Sequence, residues 1–143
     1  MPDAQVELRM NRHQFLFGCD CYCANTYDTP EKEKRHKELF SGLFNYATLP
    51  FYWGQYEPVR GEKSEKRLSN MVEWCKSIDL STKGHPLVWH EILPDWLNSD
   101  HDIEKLIQER IEDLMERFGD QIDYWDLFNE ITVSQRLSLI HIS

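Results

Sequence analysis

Short apolar segments of strand length alternate with amphipathic segments of helix length along most of this chain, and that alternation limits the fold more than any other feature. Residues 14–22 are apolar and aromatic, and Thr29-Pro30 then supplies an N-cap followed by proline at the first helical position. The pattern predicts a helix over 30–43 with an apolar face of Leu39, Phe40, Leu43 and Phe44, then a strand at 45–51. A loop over 54–65 follows, marked by Glu57-Pro58 and Arg60-Gly61. In 66–78, Leu68, Met71, Val72, Cys75 and Ile78 recur at helical spacing. A third strand is expected at 82–89. The clearest helix is 102–118, where Ile103, Leu106, Ile107, Ile111, Leu114, Met115 and Phe118 form one stripe and Gly119 stops it. A fourth strand is expected at 122–129.

Strands alternating with helices imply a parallel sheet covered by helices, in the α/β class. In such sheets, and in (β/α)8 barrels, ligands bind at the carboxyl ends of the strands. Polar and aromatic residues gather there: the start of the first helix, the Trp89 to Pro94 loop, and Asn129-Glu130.

Charge narrows the partners. With 16 Lys+Arg against 25 Asp+Glu the formal net charge is −9, and the basic residues are interspersed with Glu, so a phosphate backbone would be repelled and no nucleic acid is expected. No apolar run approaches the roughly 18 residues of a membrane span, and the first residues lack the pattern of a secretory signal. No membrane partner is expected, and the sequence assigns no compartment. Aromatic residues make up 13% with five Trp, a surplus suited to ring-shaped ligands. Of the four cysteines, Cys19, Cys21 and Cys23 alternate on one strand face, which spaces them poorly for one ion. They are expected as small buried thiols, with no metal and no cofactor.

The segment Tyr124 to Glu130 sets an amide beside a carboxyl at a strand end. A carboxylic acid there can protonate a glycosidic oxygen, and the amide can hydrogen-bond a sugar hydroxyl more strongly as the ring gains positive charge. Asn-Glu alone is a weak signal and reads more readily as a polar strand terminus capped in solvent. Its context is more specific: Lys83-Gly84-His85-Pro86-Leu87-Val88-Trp89-His90, Leu93-Pro94-Asp95-Trp96-Leu97, and Trp125-Asp126 to Asn129-Glu130 stand in that order. Together they resemble the third- and fourth-strand motifs of the family 10 glycoside hydrolases, the endo-β-1,4-xylanases. Phe15-Leu16-Phe17-Gly18 resembles that family's first strand, and Phe44-Asn45 with Thr48 and Glu57-Pro58 its second.

The resemblance covers residues 5–136 and implies a (β/α)8 TIM barrel truncated to about its first four β/α units. It implies hydrolysis of β-1,4-xylosidic bonds in xylan or xylo-oligosaccharides with retention, by a parent protein working as a monomer. Glu130 would be the general acid/base and Asn129 would hold the 2-hydroxyl of the sugar. His85 and Trp89 would wall the same subsite, supported by His90. Trp53, at a strand end, is a further candidate to stack on sugar, and Trp74 is expected in the core. The resemblance also suggests a cis bond between His85 and Pro86.

The sequence departs from the family in two places. The Glu, Asn and Lys that grip the neighbouring sugar in the usual second-strand motif are absent, and an aromatic run, Phe51-Tyr52-Trp53, stands there instead. No carboxylate matches the nucleophile motif that the family carries on its seventh strand, so these 143 residues alone are expected to be inactive. The start reads as truncated, with 4–10 alternating like a preceding strand, and 137–143 as a non-native tail. Two alternatives stay open: a relative acting on glucan or galactoside, and a non-catalytic carbohydrate-binding half-barrel.

Overall fold

The computed structural model describes residues 5–11, 13–22, 26–98 and 101–131. The expected tail at 137–143 and Cys23 lie outside the described residues. Eight elements follow in order: β1 (Gly18–Asp20), α1 (Pro30–Leu43), β2 (Tyr46–Pro50), α2 (Trp53–Tyr56), α3 (Glu65–Ser77), β3 (Ser81–His85), α4 (Ile103–Phe118) and β4 (Tyr124–Trp125). The strands form one sheet in the order β1-β2-β3-β4, and every neighbouring pair is parallel. This is the α/β arrangement expected, with successive β/α units side by side as in a (β/α)8 barrel.

Local chemistry sets the helix starts. Thr29 Oγ1 accepts from the Lys32 N–H at 3.3 Å, and Asp102 Oδ1 accepts from the Lys105 N–H at 3.1 Å. The α1 bounds match the expected ones, but of its expected apolar face only Phe40 is buried, while Leu39 and Leu43 are exposed. α3 turns Leu68, Met71, Val72 and Cys75 inward as its spacing predicts. The core joins these to Ala47, Leu49 and Phe51 of the second strand region and to Leu114 and Phe118 of α4. Trp74 is only partly buried and meets Phe40 edge-on, with centroids 5.8 Å apart.

Several expectations are corrected. The loop expected over 54–65 includes part of α2, and residues 5–10 form no strand and lie exposed. β1 is three residues long and, among the described residues, pairs with β2 alone; Cys19 on it is exposed whereas Cys21 is buried. The His85–Pro86 bond is trans, since no described peptide bond is cis. Proline's missing donor is met by stepping the ladder past it. Asp126 N–H donates to Gly84 O at 3.0 Å, and Asp126 O accepts from the Leu87 N–H at 2.9 Å. Pairing continues beyond β3 and β4, with Val88 N–H on Leu127 O and Asn129 N–H on Val88 O.

One charge sits inside this packing. Arg110, on the stripe of α4 between Leu106 and Leu114, is 5% exposed. Its Nε–H donates to Leu87 O at 2.7 Å and its Nη2 to Phe51 O. Its guanidinium lies over the Trp53 and Tyr56 rings, 5.3 and 5.6 Å from their centroids. Burial lowers its pKa to about 10, so it remains charged at neutral pH. Arg110 thereby pins α4 to the backbone just past β2 and β3.

Two outcomes are expected. Arg110→Met leaves two inward carbonyls unpaired, so thermolysin should cut the folded protein roughly 30-fold faster, equivalent to about 2 kcal/mol; an unchanged cleavage rate would show that the pin carries no stability. Among the described residues β1 and β4 each have one strand partner, and Phe15, Phe17, Tyr124, Leu127 and Phe128 are exposed. The 143-residue chain by itself should therefore self-associate at micromolar concentration in sedimentation velocity. A monomer with a sharp cooperative melt is the contrary result.

Candidate active site

The ends of β3 and β4 meet across a glycine. Gly84 lies opposite Trp125 in the register, and a Cβ on it would come within 2.3 Å of the Trp125 indole. Only glycine lets that ring lie flat against the strand, and the ring in turn meets Phe51 at 4.8 Å. With the backbones this close, side chains from the two strands reach each other.

Asp126 gathers them. Its Oδ2 lies 2.8 Å from His85 Nδ1 and 2.9 Å from Lys83 Nζ. Burial raises the Asp126 pKa, but hydrogen bonds from Lys83 and His85 and their charges outweigh this and hold it below the ordinary value. An ionised carboxylate only accepts, so His85 carries its proton on Nδ1, and in the neutral ring Nε2 is left as an acceptor for a hydroxyl.

One turn further along, Trp89 Nε1–H donates to Glu130 Oε2 at 3.0 Å. That bond occupies Oε2 and leaves Oε1 to carry the carboxyl proton when Glu130 is neutral. Glu130 has φ of 52°, in the left-handed region that costs a non-glycine residue about 1 to 2 kcal/mol. Asn129 precedes it, anchored by its N–H to Val88 O at 3.1 Å. His90 is largely buried, with Nε2 3.1 Å from Glu91 Oε1 and its ring edge-on to Trp89 at 6.5 Å.

The structure thus brings together His85, Trp89, His90, Asn129 and Glu130 at the carboxyl ends of β3 and β4. Trp53 stands apart from them. Its indole is 3% exposed, donates to Glu57 Oε2 at 3.2 Å, and lies between Arg110 and Trp96. The residue sequence reasoning missed is its neighbour Tyr52, whose ring lies 5.6 Å from Trp89 and 5.9 Å from His85. Tyr52 lies in the short link between β2 and α2, where neither strand nor helix periodicity marks which way a side chain faces; Phe51 and Trp53 on either side of it are buried. Asp126, which enters the sequence pattern only as part of the Trp125-Asp126 motif, is the hub of the polar contacts.

Known proteins resemble this chain along most of its length. The chain is 24% identical over 139 residues to Endo-1,4-beta-xylanase 2 of Arabidopsis thaliana, covering 92% of this chain and 12% of that protein. It is 27% identical over 112 residues to Endo-1,4-beta-xylanase B of Thermotoga neapolitana, covering 74% and 32%. Among solved structures, a GH10 endoxylanase retrieved from a sugarcane soil metagenome superposes with a TM-score of 0.70 at 26% identity, over 81% of this chain and 36% of that one. The Thermobacillus composti GH10 xylanase superposes at 0.68 and 22%, over 88% and 40%. The chain spans at most about a third of the length of these two curated relatives, and its parallel sheet is that part of a (β/α)8 barrel. The model of glycosyl hydrolase family 10 matches residues 10–140, nearly the whole polypeptide, and the chain belongs to that family.

Proposed function

We propose that this chain forms the acid/base half of a retaining endo-β-1,4-xylanase. The observation that carries the reading is the Trp89–Glu130 hydrogen bond beside Asn129 at paired strand ends. Glu130 Oε1–H protonates the glycosidic oxygen as the bond breaks, and the same carboxylate later takes a proton from the water that releases the sugar. Asn129 holds the 2-hydroxyl of the sugar at the cleavage point. His85, oriented by Asp126, and Trp89 wall that sugar, and His90 backs Trp89. The nucleophile is a second carboxylate, needed about 5 to 5.5 Å from the first, and no motif in this chain matches it. The substrate is xylan or a xylo-oligosaccharide, and the complete protein acts as a monomer. The relatives' names and the Gly-His-Pro-Leu-Val-Trp-His stretch favour xylan over glucan or galactoside.

Reducing-sugar release from xylan tests the reading. The 143-residue chain alone should release none. A protein that joins it to the remaining barrel units should release xylo-oligosaccharides with retained anomeric configuration, read by NMR, and Glu130→Gln should lower that rate at least 10³-fold. Inverted products, or a Glu130→Gln variant of ordinary rate, would refute it.

Asp126 supplies a second test. Asp126→Asn removes the charge shared by Lys83 and His85, and a misaligned His85 should lower kcat/KM about tenfold or more. Because the Asp126 pKa is depressed in the folded protein, the clamp contributes stability above the ordinary carboxyl pKa and loses it as pH falls through the folded one. The unfolding midpoint should therefore drop on acidification below about pH 4, and less steeply in Asp126→Asn. Parallel pH profiles in the two proteins would contradict this.

A further inference from the structure

From the placement of its ring we infer that Tyr52, backed by Tyr22, is the specificity-determining wall of a second sugar subsite beside the cleavage point. This rests on the xylanase reading above and deepens it. The groups run in sequence: Glu130 bonds to Trp89, Trp89 is tilted 40° against Tyr52 with centroids 5.6 Å apart, and Tyr52 meets Tyr22 edge-on at 5.6 Å. A pyranose chain lying from Glu130 across Trp89 therefore reaches Tyr52 next.

Tyr52 is half-buried and held from several directions, so its ring is a preformed surface. His85 meets it edge-on at 5.9 Å, and the Tyr22 ring meets it edge-on from another side at 5.6 Å. Tyr22 is itself tethered, because Arg67 Nη2 donates to its carbonyl at 3.2 Å and the adjacent Cys21 N–H donates to Thr48 O at 2.9 Å. Burial pushes the Tyr22 pKa above the ordinary phenol value, so its hydroxyl stays uncharged at neutral pH. The wall thus offers aromatic faces.

The two cations near this wall are already engaged: Lys83 Nζ is 2.9 Å from Asp126 Oδ2, and Arg67 Nη2 donates to the Tyr22 carbonyl at 3.2 Å. An aromatic face binds the C–H face of an uncharged pyranose through dispersion and desolvation, and it offers nothing to a carboxylate. The subsite therefore selects a neutral xylosyl unit and discriminates against one bearing a uronic acid.

The test uses the complete protein and compares steady-state kinetics on linear xylotetraose and on the same chain bearing a glucuronosyl branch. Tyr52→Leu should raise KM for the linear chain about tenfold, with kcat changed less than KM, and should narrow the preference for linear over branched. Tyr52→Phe, which keeps the ring, should fall between wild type and the leucine variant, and it stands as the measurement if the leucine variant does not fold. Equal KM in wild type and both variants, or a preference that does not narrow, would overturn the inference while leaving xylan hydrolysis intact. A wild-type protein that cleaves no xylan would overturn the xylanase reading and this inference with it.

Discussion

The buried guanidinium of Arg110 is the contact on which the arrangement of the strand ends depends. A parallel sheet supplies ladder partners within its strands, but the chain just past β2 and β3 has carbonyls that point into the packing between sheet and helix. Arg110 satisfies one from each, Phe51 O and Leu87 O, with two prongs of a single planar group. Among the described residues no carboxylate is within ion-pair distance of it, and its charge is compensated by the carbonyl dipoles, the faces of Trp53 and Tyr56, and the more distant charges of Glu57 and Asp113. The segments it holds are those that present Tyr52, His85 and Trp89. A helix on the outside of the sheet thereby sets the spacing of groups on the functional face.

Proline at position 86 belongs to the same arrangement. By removing one donor it moves the pairing of β3 with β4 on by a residue, so that Leu87 bonds to Asp126 O. That shift frees Asp126 to turn its side chain back to His85 and Lys83, while Val88 and Asn129 continue the ladder toward Glu130.

Much of this was legible in the sequence because it depends on local periodicity. The helices over 30–43 and 102–118 declare themselves by their caps and stripes, and the Asn-Glu pair by its place after a strand. What periodicity does not report is the far side of a contact. Leu39 and Leu43 satisfy the helical pattern yet stay exposed, since only the sheet's own shape decides which of two apolar rows it covers. Arg110 breaks the apolar stripe of α4 and would be assigned to solvent from sequence. Its partners are main-chain atoms 23 and 59 residues away, and they leave no trace in composition. Trp53 and Tyr52 escape periodicity for a similar reason: they stand where β2 gives way to α2, and there the larger ring turns inward onto Arg110 and Trp96 while the smaller one meets Trp89 and His85.

The backbone at Glu130 has a consequence for how such a protein drifts under selection. A left-handed φ at this position penalises every residue with a Cβ and favours glycine. Replacement by glycine would relieve roughly 1 kcal/mol of strain and at the same time delete the carboxyl group proposed as the acid. Laboratory evolution that rewards thermal tolerance alone would drive this position toward loss of its carboxyl group, so thermostable descendants obtained without an activity screen should be inspected here first.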